Sequence, residues 1–164
     1  MKLLIEQIAL CPPDPDRAKQ LLRNMGAFHW IEDHVVAQGY VFGQAAKNEA
    51  ALSFNYELTD NQDGPMEVEI LHYTRGENWM EYPGHDCSVS HLGMHCSASE
   101  LEQWKAFFAS QKIGVAQEVR TELHANPEIA GKRRYHYTIF DTRAILGVDL
   151  KFIVRLNQDG SPYA

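Results

Sequence analysis

The sequence predicts an α+β fold made of one unit used twice, strand-helix-strand-strand-strand in each half. Three observations carry this. A short alternating segment that runs straight into a helix start occurs around Gln7 and again around His91. After each helix the chain reads as strands and loops only. When the copies are superposed, Gln7 falls on His91 and Glu69 on Lys151, at offsets of 84 and 82 residues; two such similar offsets across most of the chain mark an internal duplication.

Bulk properties bound the function classes. The chain has 164 residues, enough for one domain or two small fused modules, and 45% hydrophobic residues, enough for a core. A net charge of -7 with no long basic run speaks against a nucleic-acid partner, which needs a concentrated positive face. No apolar run approaches the roughly 20 residues of a membrane span, and Glu6 interrupts the apolar start that a signal peptide would continue. Cys11, Cys87 and Cys96 are odd in number and lack a disulfide-scaffold spacing. A cytoplasmic protein without nucleic-acid or membrane partners is expected.

In the first module, residues 1–73, Lys2–Cys11 alternates as a strand with Gln7 and Ala9 on one face. Asp14 and Pro15 read as N-cap and first helical residue; Ala18, Leu21, Leu22 and Met25 form a helical stripe assigned to the core, and Gly26 ends it. His29–Gln38 and Gly39–Gln44 read as two strands or one bent strand. Ala51–Glu57 is a strand with Leu52, Phe54 and Tyr56 on one face. Asn61–Pro65 is a loop, and Met66–Tyr73 a strand with Val68 and Ile70 opposite Glu67 and Glu69.

Residues 74–88 carry no period and form the expected linker, with Trp79 and Tyr82 placed to pack over something. The second module spans 89–157. Val89–Cys96 is a strand that puts Val89, His91, the bare Gly93 and His95 on one face and Ser90, Leu92, Met94 and Cys96 on the other. Ser99 and Glu102 suggest a capping box at the head of a helix whose Leu101, Trp104, Phe107 and Phe108 are assigned to the core. Gly114–His124, Arg133–Phe140 and Gly147–Leu156 follow as strands, the last with Leu150, Phe152 and Val154 opposite Asp149, Lys151 and Ile153. A polar tail, 158–164, is expected to be loose.

Ser90-His91-Leu92-Gly93-Met94, then Glu6-Gln7-Ile8-Ala9-Leu10 before Pro-Asp and a helix, and Glu67-Val68-Glu69-Ile70-Leu71, in this order and spacing, resemble the vicinal oxygen chelate superfamily (glyoxalase I, bleomycin-resistance proteins, methylmalonyl-CoA epimerase and extradiol dioxygenases). The resemblance covers roughly residues 3 to 155. It implies two βαβββ modules that form a cupped eight-stranded mixed sheet with helices on the outer face, and a homodimer. It also implies a divalent metal (Zn, Ni, Mn, Fe or Co) held by the positions that correspond to Gln7, Glu69, His91 and Lys151.

Lys151 departs from the family, which places a carboxylate there that also serves as base in glyoxalase-type proton transfer. An ammonium repels a dication unless it is deprotonated; otherwise Lys151 pairs with Glu69 and no metal is held. Three readings stay open. One is a metal-dependent lyase, isomerase or dioxygenase-like enzyme acting on a vicinal-oxygen substrate, with Gln7, Glu69 and His91 as ligands and His95 or Lys151 as base. The second is a metal-free pocket that sequesters a small molecule, with Phe54, Tyr56, Tyr135 and Tyr137 lining it. The third is a filled cup that serves as a protein-contact surface. An alignment shifted by one pair would bring in Asp149. Blander assignments also stand: His91 as a satisfied core histidine and Glu69 as an edge-strand charge. His85, Cys87, His91, His95 and Cys96 invite a structural zinc reading, but their spacing matches no C-x-x-C or C-x-x-H finger and has no second half-site. Lys132-Arg133-Arg134 could hold a phosphate or carboxylate or form a solvated strand end.

Overall fold

The structure, a computed structural model, describes residues 2–58, 66–82 and 89–163. Its elements are β1 (Gln7–Leu10), α1 (Pro15–Arg23), β2 (Ile31–Val41), β3 (Gln44–Asn55), β4 (Glu67–Arg75), β5 (Val89–His95), α2 (Ala98–Ser110), β6 (Val115–His124), β7 (Arg133–Phe140), α3 (Arg143–Leu146) and β8 (Asp149–Asn157). A single 3-10 turn, Trp79–Glu81, follows β4.

Each half is a βαβββ module in which the first strand pairs in parallel with the last, β1 with β4 and β5 with β8. Two antiparallel seams, β1–β5 and β2–β6, join the modules, so the eight strands close into a mixed barrel in the order β1-β4-β3-β2-β6-β7-β8-β5. Closure leaves no unpaired sheet edge.

β2 is one strand, not two. It turns back into β3 through Phe42 and Gly43, both with positive φ (43° and 78°), the backbone of a two-residue hairpin turn. Gly39 sits where β2 meets β6; a Cβ there would lie 2.0 Å from the Glu118 carbonyl oxygen.

The two helices differ. α2 buries Leu101, Trp104 and Phe108 against Met94, Phe140 and the outer face of β8, where Leu150, Phe152, Val154 and Leu156 alternate as expected. Its capping box is built from Ser97 and Glu100, two residues before the expected pair, because the strand ends at His95 and the helix begins immediately. Phe107 lies on the solvent side at 44% exposure, although it touches the edge of Trp104. α1 buries no residue. Leu21 and Met25 are 61% and 66% exposed, which corrects the expectation of a core stripe: the nine-residue helix lies against β4 without burying a side chain of its own.

Inside the barrel, Val35, Ala50, Leu52, Leu71 and Ile139 pack with the fully buried Trp79 and close one end. The other end opens as a cup. The tail expected to be loose turns back: Tyr163 N–H donates to the Arg155 carbonyl and Leu156 bridges Pro162.

Candidate functional site

The floor of the cup is made of the four residues that the duplication aligns. Gln7 comes from β1, Glu69 from β4, His91 from β5 and Lys151 from β8, and all four are buried. The parallel pairings place the first and last strand of each module side by side, and the β1–β5 seam brings the two pairs together. Gly93 faces Gln7 across that seam. A Cβ there would lie 2.6 Å from Gln7 Oε1, so the missing side chain is the space that the glutamine occupies.

Two donors and two acceptors form a closed set. His91 Nε2 lies 2.9 Å from Gln7 Oε1 and 3.2 Å from Glu69 Oε2. Lys151 Nζ lies 3.4 Å from each of the same two oxygens. Both neighbours of His91 Nε2 are acceptors, so that nitrogen carries the proton and Nδ1 accepts from Ser90 Oγ at 3.0 Å. Gln7 Nε2 donates in turn to Glu67, which also accepts from the Tyr56 hydroxyl. The ammonium of Lys151 stands 4.7 Å from the centre of the Tyr137 ring, within cation–π range.

Charge states follow from these contacts. Burial pushes the Glu69 carboxyl up, but the Lys151 ammonium and the His91 hydrogen bond together outweigh it and hold it down at about 2. Burial and the Lys151 charge push the His91 imidazole down to about 4, against the pull of Glu69. His91 is therefore neutral at neutral pH and Glu69 ionised.

This arrangement does not fit a divalent metal. Gln7, Glu69 and His91 do converge, as the resemblance implies, but Lys151 holds the two oxygens that a metal would take. A dication roughly 4 Å from that ammonium meets a repulsion of about 8 kcal/mol at an effective dielectric near 20. Among the described residues no three His, Cys, Asp or Glu side chains come together to hold an ion. Asp149 is no substitute ligand, because it is taken up by Trp79 Nε1 and Arg143 Nε, each at 3.1 Å. For the zinc cluster, His85 and Cys87 lie outside the described residues. One feature has the opposite sign: Glu69 Oε1 is buried and, among the described residues, has no hydrogen-bond partner.

Above the floor is an open cavity of about 480 Å³ that Phe54, Tyr56, Tyr135 and Tyr137 all line, so the expected aromatic wall is in place and the cup is not filled. Tyr135 and Tyr137 stack at 11° with ring centres 5.7 Å apart. His95 borders the cavity at the mouth, with its side chain 40% exposed and Nδ1 bonded to Glu6 at 2.9 Å. It does not join the floor network in which His91 sits.

Other residues of the wall escaped the sequence reading. Asp33 accepts from His124 Nδ1 at 2.9 Å and from the Asn126 N–H at 2.8 Å, and His124 Nε2 meets Thr121 Oγ1 at 3.0 Å. Asp33 shares the inward alternation of Val35 and Ala37, which is the signal that finds it. Arg155 follows Lys151 and Ile153 on the inward face of β8 and is found in the same way.

No protein-family model and no curated protein matches the chain. Solved structures of methylmalonyl-CoA epimerases are similar to it. One matches at 10% identity and a TM-score of 0.48, covering 92% of this chain and 94% of the other. The Streptomyces coelicolor enzyme in complex with 2-nitronate-propionyl-CoA matches at 16% and 0.47, covering 93% and 94%. The Mycobacterium tuberculosis enzyme matches at 9% and 0.46, covering 98% and 88%. Likeness at this level speaks to neither substrate nor mechanism. The doubled module, the parallel first-to-last pairing and the four convergent strand positions are features of the chain itself: two βαβββ modules in one mixed eight-stranded barrel, the arrangement that the sequence resemblance implies.

Proposed function

We propose that the protein binds a small organic molecule in the cup without a metal, in the manner of a sequestering protein. The observation that carries this reading is the Lys151 ammonium at 3.4 Å from both Gln7 Oε1 and Glu69 Oε2. A built-in monovalent cation balances the charge of Glu69 and donates to two of the floor's oxygens, so the set needs no dication to be stable. The open, aromatic-walled cavity supplies the concave and mostly preformed space that such a ligand needs.

The spare oxygen of Glu69 is what favours a metal-dependent lyase, isomerase or dioxygenase-like enzyme instead. Elemental mass spectrometry on protein purified without a metal-affinity tag separates the two. Wild type is expected to carry no stoichiometric Zn, Ni, Mn, Fe or Co. Lys151→Glu, which restores the family's carboxylate, is expected to retain metal. Near-stoichiometric metal in the wild type overturns the proposal and makes Gln7, Glu69 and His91 a working ligand set.

A further inference from the structure

We propose that the cup takes a planar organic anion, its oxyanion held by Arg133 and Arg155 at the mouth and its ring body against Tyr135 and Tyr137. The inference names the ligand class for the small-molecule site proposed above and rests on that reading.

The cup has two chemically different walls. On the second module, β7 and β8 pair so that Tyr135 faces Arg155 and Tyr137 faces Ile153. Strand alternation then puts Arg133, Tyr135 and Tyr137 on the cavity face of β7, and Lys151, Ile153 and Arg155 on that of β8. The first module answers with Asp33, Glu67 and Glu69.

The carboxylates of the acidic wall each have a partner already, although among the described residues Glu69 Oε1 has none. Asp33 is bonded by His124 and by the backbone N–H groups of His34 and Asn126. Glu67 is bonded by Gln7 and Tyr56, and Glu69 by Lys151. The basic wall is different. Among the described residues no carboxylate stands within ion-pair distance of Arg133, Arg155 or the neighbouring Lys132, all of which border the cavity. Among the described residues that line the cavity, Glu128 is the remaining acid at the mouth, one against three cations. A ligand therefore meets an unsatisfied positive charge, although the molecule as a whole carries -7.

The aromatic surface sets the shape of the ligand body. Tyr135 and Tyr137 hold nearly parallel rings stacked on one another, and the Arg133 guanidinium already lies 5.5 Å over Tyr135. A flat body lying against the cavity-facing edges of those rings brings an attached oxyanion to that guanidinium. Two paired strands thus offer an aromatic edge surface that ends in charge-assisted donors, the combination that selects planar carboxylates and phosphates.

The test is a titration by nuclear magnetic resonance with 2-naphthoate, 2-naphthyl phosphate and the uncharged 2-naphthamide. The proteins are wild type, the double variant Arg133→Gln/Arg155→Gln, and Arg134→Gln, whose side chain alternates to the outer face. At least one anion is expected to bind about tenfold or more tightly than the amide, with the comparison of carboxylate and phosphate identifying the oxyanion. The double variant is expected to erase that preference while leaving amide binding unchanged, and Arg134→Gln to leave all three probes unchanged. Equal affinity for amide and anions, or a preference that survives the double variant, overturns the proposal and leaves the small-molecule reading intact. A wild-type cup that takes none of the three probes overturns both.

Discussion

Gly93 shows how a single residue supports the floor of the cup. Its missing Cβ leaves the space that lets Gln7 Oε1 reach both His91 and Lys151. Gly93→Ala is expected to displace the glutamine and loosen the hold on His91, read as a shift and broadening of the His91 imidazole resonances; unchanged resonances would mean that the glutamine adapts elsewhere. His91 also sets a pH response. Its pKa falls from 6.5 unfolded to about 4 folded, so the unfolded chain binds the extra proton between those values. The resulting stability is complete above about pH 6.5 and is lost as pH falls toward 4. Glu69, lowered from 4.5 to about 2, extends the loss below pH 4.5. In urea titrations from pH 7 to 4.5, His91→Gln is expected to lose stability less steeply than wild type. Equal slopes would place the acid sensitivity on other histidines. At this scale the sequence was informative: the duplication matched Gln7 with His91 and Glu69 with Lys151, the family resemblance implied the four as one set, and alternation fixes the side of the strand on which each sits. What alternation does not contain is the direction of a proton or the reach of an ammonium, so the choice between a metal and Lys151 needed the distances.

The two helices place their elements at opposite ends of a stability scale. α2 rests on an aromatic cluster in which Trp104 and Phe152 lie 5.1 Å apart and Phe108 stacks on Phe140 at 4.3 Å. α1 covers nothing completely. Phe152→Ala is expected to cost about 3–5 kcal/mol, and Leu21→Ala to stay within about 0.5 kcal/mol of wild type, both by chemical denaturation. A loss at Leu21 comparable to that at Phe152 would show that α1 is covered in solution. The apolar stripes of the two helices look alike in the sequence because periodicity records which side chains share a face but not what the face meets. The β2–β3 hairpin was hard to read for a related reason. Its turn residues are Phe42 and Gly43, and β3 begins through the polar run Lys47-Asn48-Glu49, so neither a familiar turn pair nor an apolar alternation marks it. β7 has the alternation and was read at its observed limits.

At the scale of the whole molecule the two modules share one barrel. Its seams, β1–β5 and β2–β6, join strands about 80 residues apart, and the floor draws two residues from each half. Cooperative unfolding is the expected result: variants that keep only Trp79 or only Trp104 should each show one urea midpoint that matches their far-ultraviolet dichroism. Separate midpoints would mean that the halves melt as independent bodies. The duplication announced two copies of a unit but not their mutual pairing, because strand partners across a seam are set by the closing geometry rather than by either strand's own pattern.

The position of Trp79 has a consequence for traffic. Its fully buried ring stops one end of the barrel, hydrogen-bonded to Asp149, while the cavity opens at the other. A second molecule must wait for the first to leave, so a competitor added in excess should slow capture of a ligand yet leave its departure rate untouched. How long a guest stays is then decided at the mouth, by side chains that a passing solute meets first.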